Sequence, residues 1–141
     1  MAQVKESALW KWLKQAQKKH KKRLHMERVE NGVGTGKPDV DLCFDGFVCP
    51  IELKSCDMPK KDTTKVKVGI RKTQVAWFEK RIGAGGKAFI LTQISSERGT
   101  YRLLTDGVHI KKLQQGLIFK DLLEISELVN YPEDIVAMIQ W

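Results

Sequence analysis

One stretch of the chain constrains its fold more than any other. From Asp39 to Asp45 the residues alternate without a break, with Val40, Leu42 and Phe44 apolar and Asp39, Asp41, Cys43 and Asp45 between them. That period of two belongs to a β-strand, whose successive side chains leave on opposite faces. Asp45-Gly46 follows, the strongest short signal for a hairpin turn. A second strand then runs from Phe47 to Ser55, with Phe47, Cys49, Ile51 and Leu53 as its apolar face. A two-residue turn sets the register, so that Phe44 faces Phe47, Leu42 faces Cys49 and Asp39 faces Glu52. The last pair is of the non-hydrogen-bonded kind, whose Cα atoms lie only about 4.5 Å apart. Asp41 and Lys54 share its face.

Two opposed carboxylates repel unless one is protonated or a cation sits between them. Hard oxygen donors in small number suit Mg²⁺, with Mn²⁺ as a substitute. Such an ion can lower the pKa of bound water and neutralise charge on a phosphate, and Lys54 would extend over the same face to support that chemistry. Pro50 is compatible with this register, because it faces Asp41 in a non-hydrogen-bonded pair. Its missing N–H then points to an edge or a bulge on the other side. The plain alternative is a solvated face of alternating acids and a lysine on an exposed hairpin.

The other elements follow from periodicity. Residues from about Val4 to Leu24 predict one amphipathic helix, with Leu9, Leu13 and Ala16 on its apolar side and Trp12 alongside. A short strand spans Leu24 to Val29. Arg71 to Ile82 reads as a second helix, closed by the Gly83–Gly86 cluster as a C-cap and turn. Strands follow at Lys87–Ile94 and Tyr101–Leu104, and His109 falls in a late hairpin. Helices at about Leu117–Leu128 and Pro132–Met138 complete the chain, Pro132 suiting a first helical position. The glycines of Asn31–Lys37 do not make a Walker loop: Asn31 stands where the first glycine is needed and Pro38 where Ser or Thr is needed. The order predicts an α/β fold with a central mixed sheet flanked by helices, extra helices at the C-terminus, and one domain over residues 1–141.

Charge narrows the class of partner. Lys and Arg number 25 against 17 Asp and Glu, a net charge of +8, which draws polyanions. The densest run is Lys18, Lys19, His20, Lys21, Lys22 and Arg23, readable as a solvated helix end or as a phosphate-binding patch. Cys43, Cys49 and Cys56 cannot all pair and form no zinc spacing, and no signal-like or membrane-spanning run is present, so a reduced cytoplasmic setting is expected. The three histidines have no partner at metal-ligand spacing. The tryptophans, Trp10, Trp12, Trp77 and Trp141, are expected in the core rather than stacked on bases.

Lys37-Pro38-Asp39-Val40-Asp41 together with Ile51-Glu52-Leu53-Lys54 resembles the signature of the PD-(D/E)XK nuclease superfamily, especially its VRR-NUC branch and the Holliday-junction resolvases. Glu6 near the start of the first helix, the glycine loop before Pro38, and Arg71-Lys72-Thr73-Gln74 leading to Trp77, Gly85-Gly86 and an apolar strand agree with that likeness. It covers residues 4 to 94; residues 95–141 form an extension without a family motif. The resemblance implies a restriction-endonuclease-like core and Mg²⁺-dependent hydrolysis of DNA, with branched or nicked duplex as substrate and a homodimer as the working unit. Stand-alone members that resemble this chain are often dimers acting on branched DNA, which suggests this substrate, and the compact size together with the likeness to DNA-repair enzymes points to a viral (phage-like) or mobile-element origin. It implies Asp39, Glu52 and the Leu53 carbonyl as metal ligands and Lys54 as the catalytic lysine. Glu6 would be an accessory acid, with Glu27 and Glu30 as rivals, and Gln74 would support the site. Lys18, Lys19, Lys21, Lys22, Arg23, Lys37, Arg71 and Lys72 are the candidate nucleic-acid contacts. A basic binding module without catalysis and an RNA-directed nuclease are the competing readings.

Overall fold

The structure is a computed structural model that describes residues 2–29 and 35–140, with side chains from residue 6 onward. Glu30, most of the glycine loop and Trp141 lie outside the described residues. Seven strands form one mixed sheet between two helical layers. Its strand order is β1-β2-β4-β5-β6-β7, and β3 pairs with β2 beside β4. The strands are β1 (Leu24–Arg28), β2 (Val40–Phe44), β3 (Phe47–Val48), β4 (Ile51–Asp57), β5 (Phe89–Ser96), β6 (Gly99–Asp106) and β7 (Ser126–Leu128). Only β4 and β5 run parallel, joined over one face by α3 (Lys72–Gly83); the other pairings are antiparallel.

The two apolar faces of the sheet are buried separately. On one, Leu9 and Leu13 of α1 (Ala2–Lys14) and Ala16 of α2 (Ala16–His20) pack against Val40, Leu42, Phe44, Ile51, Leu53, Leu91 and Leu104. The helix expected from Val4 to Leu24 is thus two helices that turn at Gln15, and a 3-10 turn over Lys21–Arg23 leads into β1. The apolar line nevertheless continues across the break, which lets the second segment follow the curve of the sheet. On the other face Val75 and Phe78 of α3 meet Ile90, Ile94 and Leu103, together with Val66, Val68 and Ile70 of the preceding connection. Trp10 and Trp12 pack on the first cluster and Trp77 on the second, as expected of core aromatics.

The hairpin has the expected register. Phe44 pairs with Phe47, Cys43 with Val48 and Val40 with Ile51, and the Cys49 N–H donates to the Leu42 carbonyl at 2.9 Å. Asp45 and Gly46 both have positive φ, as a two-residue hairpin turn requires. The second strand is interrupted at Cys49-Pro50. Beyond Pro50 lies neither a free edge nor a bulge: β5 runs there, and the Pro50 carbonyl accepts the Phe89 N–H at 3.0 Å. A proline is tolerated because it stands just before the first ladder residue, Ile51.

The C-terminal third departs most from its sequence pattern. The region expected as one helix, Leu117–Leu128, divides into α5 (Phe119–Glu124) and β7 (Ser126–Leu128). Here a tertiary demand overrides periodicity, since β6 would otherwise present an open edge and Leu128 pairs with Leu103 to cover it. His109 lies in a 3-10 turn rather than a hairpin, its start fixed by the Asp106 carboxylate accepting the Val108 N–H at 3.0 Å. Helix α4 (Ile110–Gln115), unforeseen, buries only Ile110 and Leu113, too brief a pattern to stand out. Near the C-terminus, Pro132 opens a 3-10 turn that runs into α6 (Ile135–Met138). Among the described residues no helix is long and apolar enough to cross a membrane.

Candidate active site

Alternation along β4 sends Ile51 and Leu53 to the α1 face and therefore Glu52 and Lys54 to the α3 face. There they are enclosed: Glu52 is 3% exposed and Lys54 9%. Asp39 stands one residue before β2, at the position that the Val40–Ile51 pair places opposite Glu52. At this point the two strands part. The next N–H of β4, that of Leu53, is accepted by Asp39 Oδ2 at 3.1 Å instead of by the facing backbone. Residues in a strand send N–H and C=O to the same side, so the Leu53 carbonyl also faces the gap beside Asp39.

Helix α3 aims its first turn into this gap. Gln74, only 1% exposed, accepts the Arg71 N–H on Oε1 at 2.9 Å and donates from Nε2 to Glu52 Oε2 at 2.7 Å. One amide thus finishes the helix start, where N–H groups lack helical partners, and orients the acid. Lys54 Nζ lies 3.5 Å from the same Oε2 and donates to the Gly69 carbonyl at 3.0 Å. Glu52 Oε1 is buried without a partner.

The electrostatics follow from that enclosure. Burial pushes the Glu52 carboxyl up to about 8, Asp39 alongside adds to the rise, and Lys54 opposes it. Glu6 belongs to the same field. Its carboxyl is raised first by burial and then by Asp39, while Lys54, Arg28 and Arg71 act against the rise. Of its rivals, Glu27 is exposed on β1, paired in register with Asp41 and 3.3 Å from His25. Asp41 itself is exposed. Among the described residues no three His, Cys, Asp or Glu side chains form a ready ligand cage. A cation here would keep several waters, as Mg²⁺ commonly does. The unpartnered Oε1 of Glu52, the adjacent Asp39 carboxylate and the Leu53 carbonyl are donors of the hard-oxygen type that such an ion takes.

The basic candidates divide into two places. Lys37 precedes Pro38, and Arg71 and Lys72 open α3, so all three border the site. The run Lys18–Arg23 adjoins the other end of β2, since Leu24 pairs with Phe44 while Arg28 pairs with Val40. That offset is roughly 13 Å along the strand. Arg23 is engaged there, clasping Asp45 through Nε and Nη2, and His20 Nε2 is 3.0 Å from the Glu133 carbonyl oxygen. Arg28, exposed at the site end of β1, was not singled out from the sequence. It lies in no motif and shows itself only by its effect on Glu6.

Thr92, the register partner of Lys54 on β5, is fully buried with an unpartnered Oγ1. An unsatisfied buried hydroxyl costs about 1–3 kcal/mol. Thr92→Val keeps the shape and is expected to raise thermal stability, by about 1 kcal/mol, in a melting experiment. A lower melting temperature would show that the hydroxyl has a bonding partner.

No protein-family model matches the chain, and a search of curated proteins finds no match.

Proposed function

We propose that the chain is a metal-dependent nuclease that hydrolyses DNA phosphodiester bonds on a restriction-endonuclease-like core, with branched or nicked duplex as its substrate. One observation carries this reading: a buried glutamate held by Gln74 and Lys54 leaves one oxygen unpartnered beside a second carboxylate. A buried acid beside a second carboxylate is unfavourable when charged, unless it is protonated or a cation joins the two. In this reading Asp39, Glu52 and the Leu53 carbonyl hold Mg²⁺. When bound, that ion supplies Lewis-acid activation of water and of the phosphate. Gln74 keeps Glu52 from rotating, so the free oxygen stays directed at the gap. Lys54, fixed by the Gly69 carbonyl, sets a positive charge where the phosphate becomes more negative. Glu6 completes the acidic rim, and Arg28 and Arg71 draw the substrate backbone toward it.

The test is a cleavage assay on labelled DNA and RNA, each as duplex, nicked duplex and four-way junction, with Mg²⁺ or EDTA. Cleavage of DNA that disappears in EDTA and falls about 10²–10³-fold in Lys54→Ala, with binding in EDTA retained, is the expected result. Binding without cleavage under any metal would replace the reading with a non-catalytic module, and cleavage confined to RNA would change the substrate.

A further inference from the structure

The connection between β4 and α3 carries a pattern that the site does not explain. From Lys65 to Arg71 burial alternates at every residue: Val66, Val68 and Ile70 are buried, while Lys65, Lys67, Gly69 and Arg71 are exposed. The inner residues belong to the apolar cluster under α3. Val66 bridges Leu117 and donates its N–H to that carbonyl at 2.8 Å, tying the strip to the connection between α4 and α5. The outer side is therefore a fixed row of cations, and among the described residues none of the three lies within ion-pair distance of a carboxylate.

The row also ends at the reacting groups. Gly69 gives its carbonyl to Lys54 Nζ, and Arg71 is close enough to lower the pKa of Glu6. Lys65 and Lys67 stand on one side up to Val68, and at Gly69 the backbone turns with φ +82 before it reaches Arg71. The far edge of the sheet has the opposite character, a hollow of about 430 Å³ bordered by Asp106, Glu124 and Glu127.

We infer that the strip Lys65–Arg71 is a track for a phosphodiester strand, with Lys65, Lys67 and Arg71 on its phosphates, leading the strand to Lys54. The apolar side of the strip explains why the row is stiff. The backbone that carries the row is already held in place, so binding a strand orders only the side chains. The inference deepens the nuclease reading, yet its core can be tested without any cleavage.

The experiment measures equilibrium binding of Lys65→Ala/Lys67→Ala to single-stranded and duplex DNA and RNA of one sequence, in EDTA, as a function of salt. A second double variant, Lys80→Ala/Lys120→Ala, removes the same charge elsewhere on the surface. Loss of two phosphate contacts should make the salt slope of duplex binding shallower by about 2 and weaken binding about tenfold at moderate salt. The control pair should stay within about twofold. The four nucleic acids identify which kind of strand the track accepts. Equal slopes for parent and variant, or equal losses in both double variants, would overturn the track. Under Mg²⁺, the same variant should raise the half-saturating substrate concentration while leaving kcat within about twofold. If no nucleic acid is cleaved but the slope still falls, the track stands and the nuclease reading fails.

Discussion

Glu52→Gln is expected to produce a protein that is more stable than its parent and inactive. In the metal-free protein the Glu52 carboxyl is shifted from an ordinary 4.5 to about 8, chiefly by burial. The folded state therefore holds a proton that the unfolded state releases, and stability falls with rising pH wherever the two states differ in bound protons. The contribution is fully present below about 4.5, declines between there and about 8, and is absent above. At about 1.4 kcal/mol per pH unit, the loss amounts to a few kcal/mol. Glutamine at this position keeps an oxygen for Gln74 and carries no charge, so the decline should vanish. At pH 8 the variant should melt on the order of 10 °C above the metal-free parent, and Mg²⁺ should no longer raise its melting temperature. Cleavage should drop about 10²–10³-fold or more. Coincident pH–stability curves for parent and variant would remove the basis for placing a strained acid at this position.

Gly36→Ala should be the most damaging single methyl group in the chain. Gly36 has φ +72, and a Cβ there would stand 2.1 Å from the Thr73 carbonyl oxygen and 2.4 Å from its carbon. Both are backbone atoms in the first turn of α3 and cannot swing aside. Left-handed backbone costs an L residue about 1–2 kcal/mol, and forced overlap in a packed region adds about 1–3 kcal/mol. A total of about 2–5 kcal/mol should lower the melting temperature by roughly 8–15 °C. The contact joins the loop that carries Asp39 to the helix that carries Gln74, so activity should fall further than stability explains. A variant that folds with parental stability would mean that loop and helix are not locked together.

Much of the site was legible because its geometry is local. Two residues of turn chemistry at Asp45-Gly46 decide the register of everything between Asp39 and Glu52, and the alternation of β4 decides which face Glu52 and Lys54 take. The α/β class was legible for the same reason, since α3 and β5 each carry a clear period. What escaped depends on distant partners. Nothing near Ser126 announces a strand, because its reason to exist is the edge of β6. The splaying of β2 from β4 at Asp39 has no sequence signal beyond Pro38, which cannot donate to a ladder. The Lys65–Ile70 alternation is as plain as that of β2, yet its partners, Leu117 and the underside of α3, are far along the chain. The basic run at Lys18–Arg23 was the densest positive charge in the sequence, but density did not indicate position. Two of its six members are occupied by Asp45 and the Glu133 backbone.

The shared occupancy of Glu52 Oε2 decides how the acid can coordinate. With Gln74 and Lys54 both drawn to that atom, only Oε1 is left to offer, so Glu52 would give a bound cation one oxygen. Ca²⁺ favours six to eight oxygens and readily takes both atoms of a carboxylate, whereas Mg²⁺ is content with one and retains its water shell. In the proposed nuclease, Gln74 would thereby favour Mg²⁺ over Ca²⁺ without touching either ion.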